Sequence, residues 1–140
     1  MSEASGTSAV PDDLRYSNEH EWVRADGDTA VVGITAFAQE QLGDVVFVEL
    51  PEKGSTVRQH ASFGVVESVK AASDVYAPIS GLVLERNVKV IEKPELVNTD
   101  PYGEGWMLRI RVTDRGEAGE LLSPADYRAH IGESPASGGD

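Results

Sequence analysis

One lysine stands apart in this sequence. Lys70 lies in the run Phe63-Gly64-Val65-Val66-Glu67-Ser68-Val69-Lys70-Ala71-Ala72-Ser73-Asp74-Val75, and no other lysine occurs between Lys53 and Lys89. In an extended strand alternate side chains face opposite ways, so Phe63, Val65, Glu67 and Val69 share one face. The chain then passes through Lys70-Ala71-Ala72-Ser73, one long cation among small residues, before a second extended run begins at Val75. This spacing predicts a hairpin with Lys70 at its tip, where the amine is solvated, sterically open and held on a rigid base. Such an amine can form an amide with a carboxylic acid brought by a modifying enzyme. It can also be an ordinary solvated turn lysine, and composition and spacing alone favour that second reading.

The remaining composition narrows the chemistry. With no cysteine in 140 residues, disulfides, thiolate catalysis and cysteine metal sites are excluded, so any redox chemistry must come from a prosthetic group. His20, His60 and His130 are scattered without metal-ligand spacing. No serine sits in Gly-x-Ser-x-Gly, and no glycine-rich loop joins a strand to a helix in a phosphate-binding pattern. Trp22 and Trp106 read as packing residues. The formal net charge of -12, from 24 acidic and 12 basic residues, disfavours nucleic acid and anionic membrane and suits docking on basic protein surfaces. No apolar run approaches the roughly 18 residues of a membrane span. Met1 to Asp13 resembles neither a secretory signal nor a mitochondrial presequence, and a bacterial cytoplasm is the expected location.

The elements that must position Lys70 are mainly strands. Residues 1–13 and 132–140 read as disordered tails around one domain at 14–131. Glu21 to Arg24 and Thr29 to Ile34 are expected strands joined by a turn at Asp26-Gly27-Asp28. Thr35 caps a short helix over Ala36 to Leu42, and Gly43 stops it. Strands follow at Val45 to Leu50, Thr56-Val57, Ser62 to Val69, Val75 to Ala77, Gly81 to Glu85 and Met107 to Val112. Pro94 opens a helical turn over Glu95 to Val97, and Ser123-Pro124 starts a helix reaching His130. Short strands between glycine and proline turns predict a sandwich or barrel. Gly43-Asp44-Val45-Val46 and Gly81-Leu82-Val83-Leu84 form a faint internal echo on either side of Lys70.

Longer motifs carry a resemblance. Glu19-His20-Glu21-Trp22-Val23, Val32-Gly33-Ile34-Thr35, Ala38-Gln39-Glu40-Gln41-Leu42-Gly43-Asp44 and Phe47-Val48-Glu49-Leu50-Pro51 occur in order. They are followed by Gly64 to Asp74, Pro94-Glu95-Leu96-Val97-Asn98 and Pro101-Tyr102-Gly103-Glu104-Gly105-Trp106. From about Leu14 to Ile131 the chain resembles the H proteins of the glycine cleavage system, and collinear matches of this length are far more specific than one short pattern. Biotin carriers show Met-Lys-Met and 2-oxoacid dehydrogenase lipoyl domains usually Asp-Lys-Ala, whereas here Glu67-Ser68-Val69 precedes Lys70. Two stretches depart from the family pattern, Ala36-Phe37 and Val88 to Glu92.

The resemblance implies a mainly β hybrid barrel-sandwich of two antiparallel sheets, with short helices including a C-terminal one and the modified lysine on a hairpin tip. It implies a non-catalytic carrier with lipoate amide-linked to Lys70. The arm would take the aminomethyl group of glycine from a glycine decarboxylase (P protein) to an aminomethyltransferase (T protein). A dihydrolipoyl dehydrogenase (L protein) would then reoxidise it. Lipoyl- or octanoyl-transferring or ligating enzymes are further implied partners, with Glu67, Ser68, Val69 and Ala71 as candidates for their recognition. Glu21 and Asp74 are candidates for holding the ammonium of the loaded arm, through a charge-assisted hydrogen bond.

Three other readings stay open at this point: a lipoyl domain serving 2-oxoacid dehydrogenases, a relay that donates lipoyl groups to other carriers, and an unmodified β scaffold. The charge supports one prediction on its own. At about 0.15 M ionic strength the screening length is roughly 8 Å, so added salt should slow association with partner enzymes and alter dissociation less. Stopped-flow association rates that do not change with salt would rule out steering by the acidic surface.

Overall fold

The computed structural model describes residues 9–132. Nine strands form two antiparallel sheets. The larger sheet has the order β1-β2-β3-β9-β8-β5, built from β1 (Arg15–Tyr16), β2 (Glu21–Asp26), β3 (Thr29–Ile34), β5 (Thr56–Val57), β8 (Gly81–Arg86) and β9 (Leu108–Val112). The smaller has the order β4-β6-β7, from β4 (Val45–Glu49), β6 (Ser62–Ser68) and β7 (Ala72–Tyr76). The sheets face each other across one apolar core without closing into a barrel. Val48, Val66 and Val75 of the small sheet share that core with Val32, Val83 and Ile110 of the large one. Among the described residues no helix is long and apolar enough to cross a membrane.

Local chemistry explains most element ends. Gly27 has φ +64°, as the β2–β3 turn requires. Thr35 caps α1 (Ala36–Leu42) by accepting from Ala38 N–H, and Gly43 ends it at φ +81°. Ser123 accepts from Asp126 N–H, with Pro124 as the first residue of the last helix, Pro124–His130. The smaller elements differ from the sequence expectation. Val88–Glu92 is a helix capped by Asn87, and Arg115–Glu120 is a 3-10 helix. The helical turn expected over Glu95 to Val97 is observed at Leu96–Thr99. The echoed segments at Gly43 and Gly81 lead into strands of different sheets.

The expectation of a loose N-terminal end does not hold for residues 9–13. Val10 is buried with Leu14, Tyr16, Trp22 and Tyr127. Arg128 donates to Val10 O at 2.9 Å and Tyr16 OH to Pro11 O at 2.6 Å, so the strap is fixed by its own backbone carbonyls. Tyr16 and Tyr127 stack with ring centroids 4.5 Å apart. The rest of the expected tails, 1–8 and 133–140, lies outside the described residues.

A buried carboxylate ties the sheets together. Glu21, at the start of β2, is 2 % exposed. One of its oxygens accepts from Ser17 Oγ, and the other accepts from Tyr76 N–H at 3.1 Å. Burial raises its pKa to about 7, against the opposing effect of those two donors. The folded protein therefore holds a proton between pH 4.5 and about 7 that the unfolded chain has released. Stability should fall as pH rises through that window, by up to about 3 kcal/mol. Glu21→Gln removes the titrating group while keeping an acceptor. Urea unfolding should therefore show a smaller loss of stability from pH 5 to pH 8 in the variant than in the wild type.

Candidate functional site

Lys70 is exposed at the β6–β7 tip, as its sequence context predicts, but the tip is tighter than the four-residue apex expected there. Ser73 already belongs to β7, and the ladder runs to the pair Glu67–Ala72. Ser68 N–H donates to Ala71 O at 2.7 Å, leaving only Val69 and Lys70 in the loop. Two-residue hairpin loops usually need positive φ. Neither Val69 nor Lys70 has it. The Ser68 side chain completes the closure: its hydroxyl accepts from Ala71 N–H at 3.1 Å and Lys70 N–H at 3.3 Å, and donates to Ala71 O at 3.2 Å. Ser68 is buried, so of the four recognition candidates it shapes the tip from inside, whereas Glu67, Val69 and Ala71 are exposed.

The tip rests on the corner between α1 and β4. Val69 N–H donates to Asp44 O at 3.0 Å. A Cβ built on Gly43 would lie 3.4 Å from Lys70 Cε, so the lysine stem lies against this glycine. Asn98 stitches the corner from behind. Its amide donates to Gly43 O at 2.8 Å and Gln39 Oε1 at 2.9 Å, and its carbonyl accepts from Val45 N–H at 2.8 Å. Lys70 is thus an exposed side chain on a tip fixed from three directions.

Near the tip lies a cleft of about 260 Å³, with Leu42 and Ser73 in its lining. Its apolar walls come from Ile34, Phe37, Leu42, Val66 and Val75, and its polar lining includes Glu19, His20, Glu21 and Asp74. The structure therefore brings Glu21 and Asp74 together with the lysine tip, in different settings. Asp74 is exposed at the mouth and accepts from Ser62 Oγ at 3.3 Å. Glu21 is inside and already hydrogen-bonded.

Two contributors were not singled out from sequence. His20, read there as one of three scattered histidines, has φ +76°, packs on Phe37 at 4.9 Å between centroids and bonds Tyr127 OH through Nδ1 at 2.9 Å. Burial, and then the neighbouring His130, hold it below the usual imidazole range. Phe37, part of an apparent departure from the family pattern, lines the cleft. The Glu19-His20-Glu21 run was the available signal for the first, while nothing local marked the second. Among the described residues no group of three or more histidines and carboxylates is placed to hold a metal.

Comparison with known proteins agrees with this geometry. A family model described as glycine cleavage H-protein matches residues 14–134. A glycine cleavage system H protein of Carboxydothermus hydrogenoformans is 57 % identical over 126 residues, covering 90 % of this chain and 97 % of that one. A probable glycine cleavage system H protein of Haloarcula marismortui is 61 % identical over 122 residues, covering 87 % and 96 %. The crystal structure of a glycine cleavage system H protein from Mycobacterium marinum superposes with a TM-score of 0.81 at 43 % identity, covering 88 % of this chain and 99 % of that one. The chain belongs to the glycine cleavage H-protein family.

Proposed function

We propose that the chain is the lipoyl carrier of a glycine cleavage system, with lipoate amide-linked to Lys70 and the domain at 14–131 as its working unit. The carrier role, itself non-catalytic, is that of its family. The observation that carries the assignment to Lys70 is the geometry of the tip: an exposed amine on a braced two-residue loop, beside a cleft with apolar walls and carboxylates. The residues present fit the group. An apolar chain matches the Ile34, Phe37, Leu42, Val66 and Val75 walls, and a cationic end matches Glu21 and Asp74. When bound, lipoate supplies reversible dithiol–disulfide chemistry and the sulfur that carries the one-carbon amine, which a chain without cysteine cannot supply.

The chain's own residues then perform three tasks. Ser68, Gly43 and Asn98 fix the tip, so that separate enzymes meet the arm at one known position. The cleft excludes water from the cargo between visits. Glu21 and Asp74 hold the ammonium end. A carboxylate offers about four lone-pair positions. Ser17 and Tyr76 use one on each oxygen of Glu21, which leaves capacity for a cation from the cleft. The partners we assign are a glycine decarboxylase, an aminomethyltransferase, a dihydrolipoyl dehydrogenase and a lipoyl-attaching enzyme. We place the protein with them in the cytoplasm, in keeping with its acidic composition.

The direct test is intact-mass and peptide analysis after expression with a lipoyl-attaching system. One lipoyl increment is expected on Lys70, and none in Lys70→Arg, which should fold normally. An increment on Lys53, Lys89 or Lys93 would overturn the assignment, and no increment at all would favour an unmodified scaffold.

A second test addresses the cleft. An ionised Glu21 should contribute about 1.5–3 kcal/mol through its bond to the ammonium, roughly ten- to a hundredfold in sheltering. Loaded Glu21→Gln carrier should therefore release ammonia and formaldehyde faster than wild type when no aminomethyltransferase is present. Because the Glu21 pKa lies at about 7 without a cation, the ratio of the two rates should shrink as pH falls from 8 to 6. Equal decay of both proteins at pH 8 would make Glu21 a structural residue only.

A further inference from the structure

Four large apolar side chains stand exposed among the described residues: Val46 at 54 %, Phe47 at 46 %, Val69 at 72 % and Val88 at 49 %. Three of them gather beside Lys70. The β4–β6 ladder sets Val45 opposite Ser68 and Phe47 opposite Glu67, and Asp44 accepts from Val69 N–H. Val46 and Phe47 therefore lie in the strand pair immediately below the tip, and Val69 in the tip itself. A bulge between Val45 and Phe47 puts an extra residue into β4 and turns two consecutive apolar side chains to water, where regular alternation would have buried one.

Exposed apolar clusters mark surfaces that another molecule covers. The exposed carboxylates of Asp44, Glu49 and Glu67 lie around the cluster, and none has an ion-pair partner among the described residues. An apolar centre with an unpaired acidic rim is complementary to an apolar hollow edged by Lys and Arg.

The position of the cluster selects its occupant. The sheltering cleft takes Ser73, Asp74 and Val75 of β7 into its lining and no residue of β4, whereas the cluster lies on the β4 side of the same sheet. Enzymes that process the end of a lipoyl arm work at the arm's full length from the backbone of Lys70, so they need not touch the tip. The enzyme that makes the amide must bring an activated acyl donor to Nζ itself, one lysine side chain from the loop. There Nζ bonds the acyl carbon, the donor's bond to its leaving group breaks, and the displaced proton passes to the enzyme.

We propose that Val46, Phe47 and Val69, with their acidic rim, form the docking surface for the enzyme that acylates Lys70. The proposal rests on the assignment of Lys70 as the acylated residue. It separates docking from sheltering: the enzyme covers the β4 side while the new arm is free to enter the cleft on the β7 side.

The test uses the purified full-length unmodified chain and a purified lipoyl-attaching enzyme with octanoyl donor, read by intact mass. Val46→Ser/Phe47→Ser should raise KM for the carrier about tenfold or more and leave kcat within about twofold. Val88→Ser, which exchanges the exposed valine away from the tip, should change neither. A photo-crosslinking residue at position 47 should capture the acylating enzyme, whereas one at 88 should not. The crosslink decides the matter if the double variant fails to fold. An unchanged KM in a folded double variant, equal capture at 47 and 88, or capture at 47 of a second copy of the chain in place of the enzyme would overturn the proposal. Failure of the wild-type chain to accept any acyl group on Lys70 would instead overturn the carrier assignment on which it rests.

Discussion

The hydrogen bond from Tyr76 N–H to Glu21 anchors the base of the lysine hairpin to the larger sheet. β7 is the edge strand of the small sheet and pairs along one side only, with β6. An edge strand leaves backbone donors unpaired, and a buried donor without a partner costs stability. Glu21 supplies an acceptor for one of them from the neighbouring sheet, and Ser17 supplies a donor to the carboxylate. The hairpin that ends in Lys70 is therefore anchored at its base by a side chain of β2 and braced at its tip by Ser68 and Asp44. Between those anchors the apolar contacts of Val66 and Val75 set the sheet against the core.

The same carboxylate has an energetic cost that a purely structural residue would avoid. A glutamine would accept from Tyr76 N–H without desolvating a charge, and replacing a buried ionisable group is often neutral or stabilising. On the proposed reading the site meets a cation only part of the time and has a different requirement. It must be tolerable without the cation and attractive with it. A carboxylate with a pKa at about 7 meets both: near neutral pH it is partly protonated in the empty cleft, and an ammonium favours its ionised form.

The fold was legible in the sequence wherever a local rule decides the structure. Thr35 and Gly43 bracket α1, Asp26-Gly27-Asp28 turns β2 into β3, and Ser123-Pro124 begins the final helix. The missed elements depend on partners far along the chain. β1 is two residues long and is held between β2 and a bridge to Leu122. The strap at 9–13 looks like a tail because its composition is polar, yet its carbonyls are held by Tyr16, Tyr102 and Arg128. The start of β7 was placed late because Ala72-Ser73-Asp74 has little intrinsic strand preference, and pairing with Val65, Val66 and Glu67 overrides it. In the site, Lys70 could be found from its neighbours. The burial of Glu21 could not, since its second donor lies 55 residues away.

Ser68 shows how neighbouring residues of one segment divide between the interior and the solvent. A lysine flanked by Glu67, Ser68, Val69 and Ala71 reads as a linear epitope for a modifying enzyme. In the folded hairpin these residues divide by direction. Glu67 and Val69 point outward with Phe47, while Ser68 points in and adds its hydroxyl to the single backbone bond that closes the loop. A tip closed by glycine at positive φ would have the conformational freedom that glycine brings. The serine lets two L-residues with side chains occupy the loop, and both side chains have uses: Val69 contributes apolar surface and Lys70 the amine. The hairpin therefore presents Lys70 and its apolar neighbour together, from a turn closed in part by one buried hydroxyl.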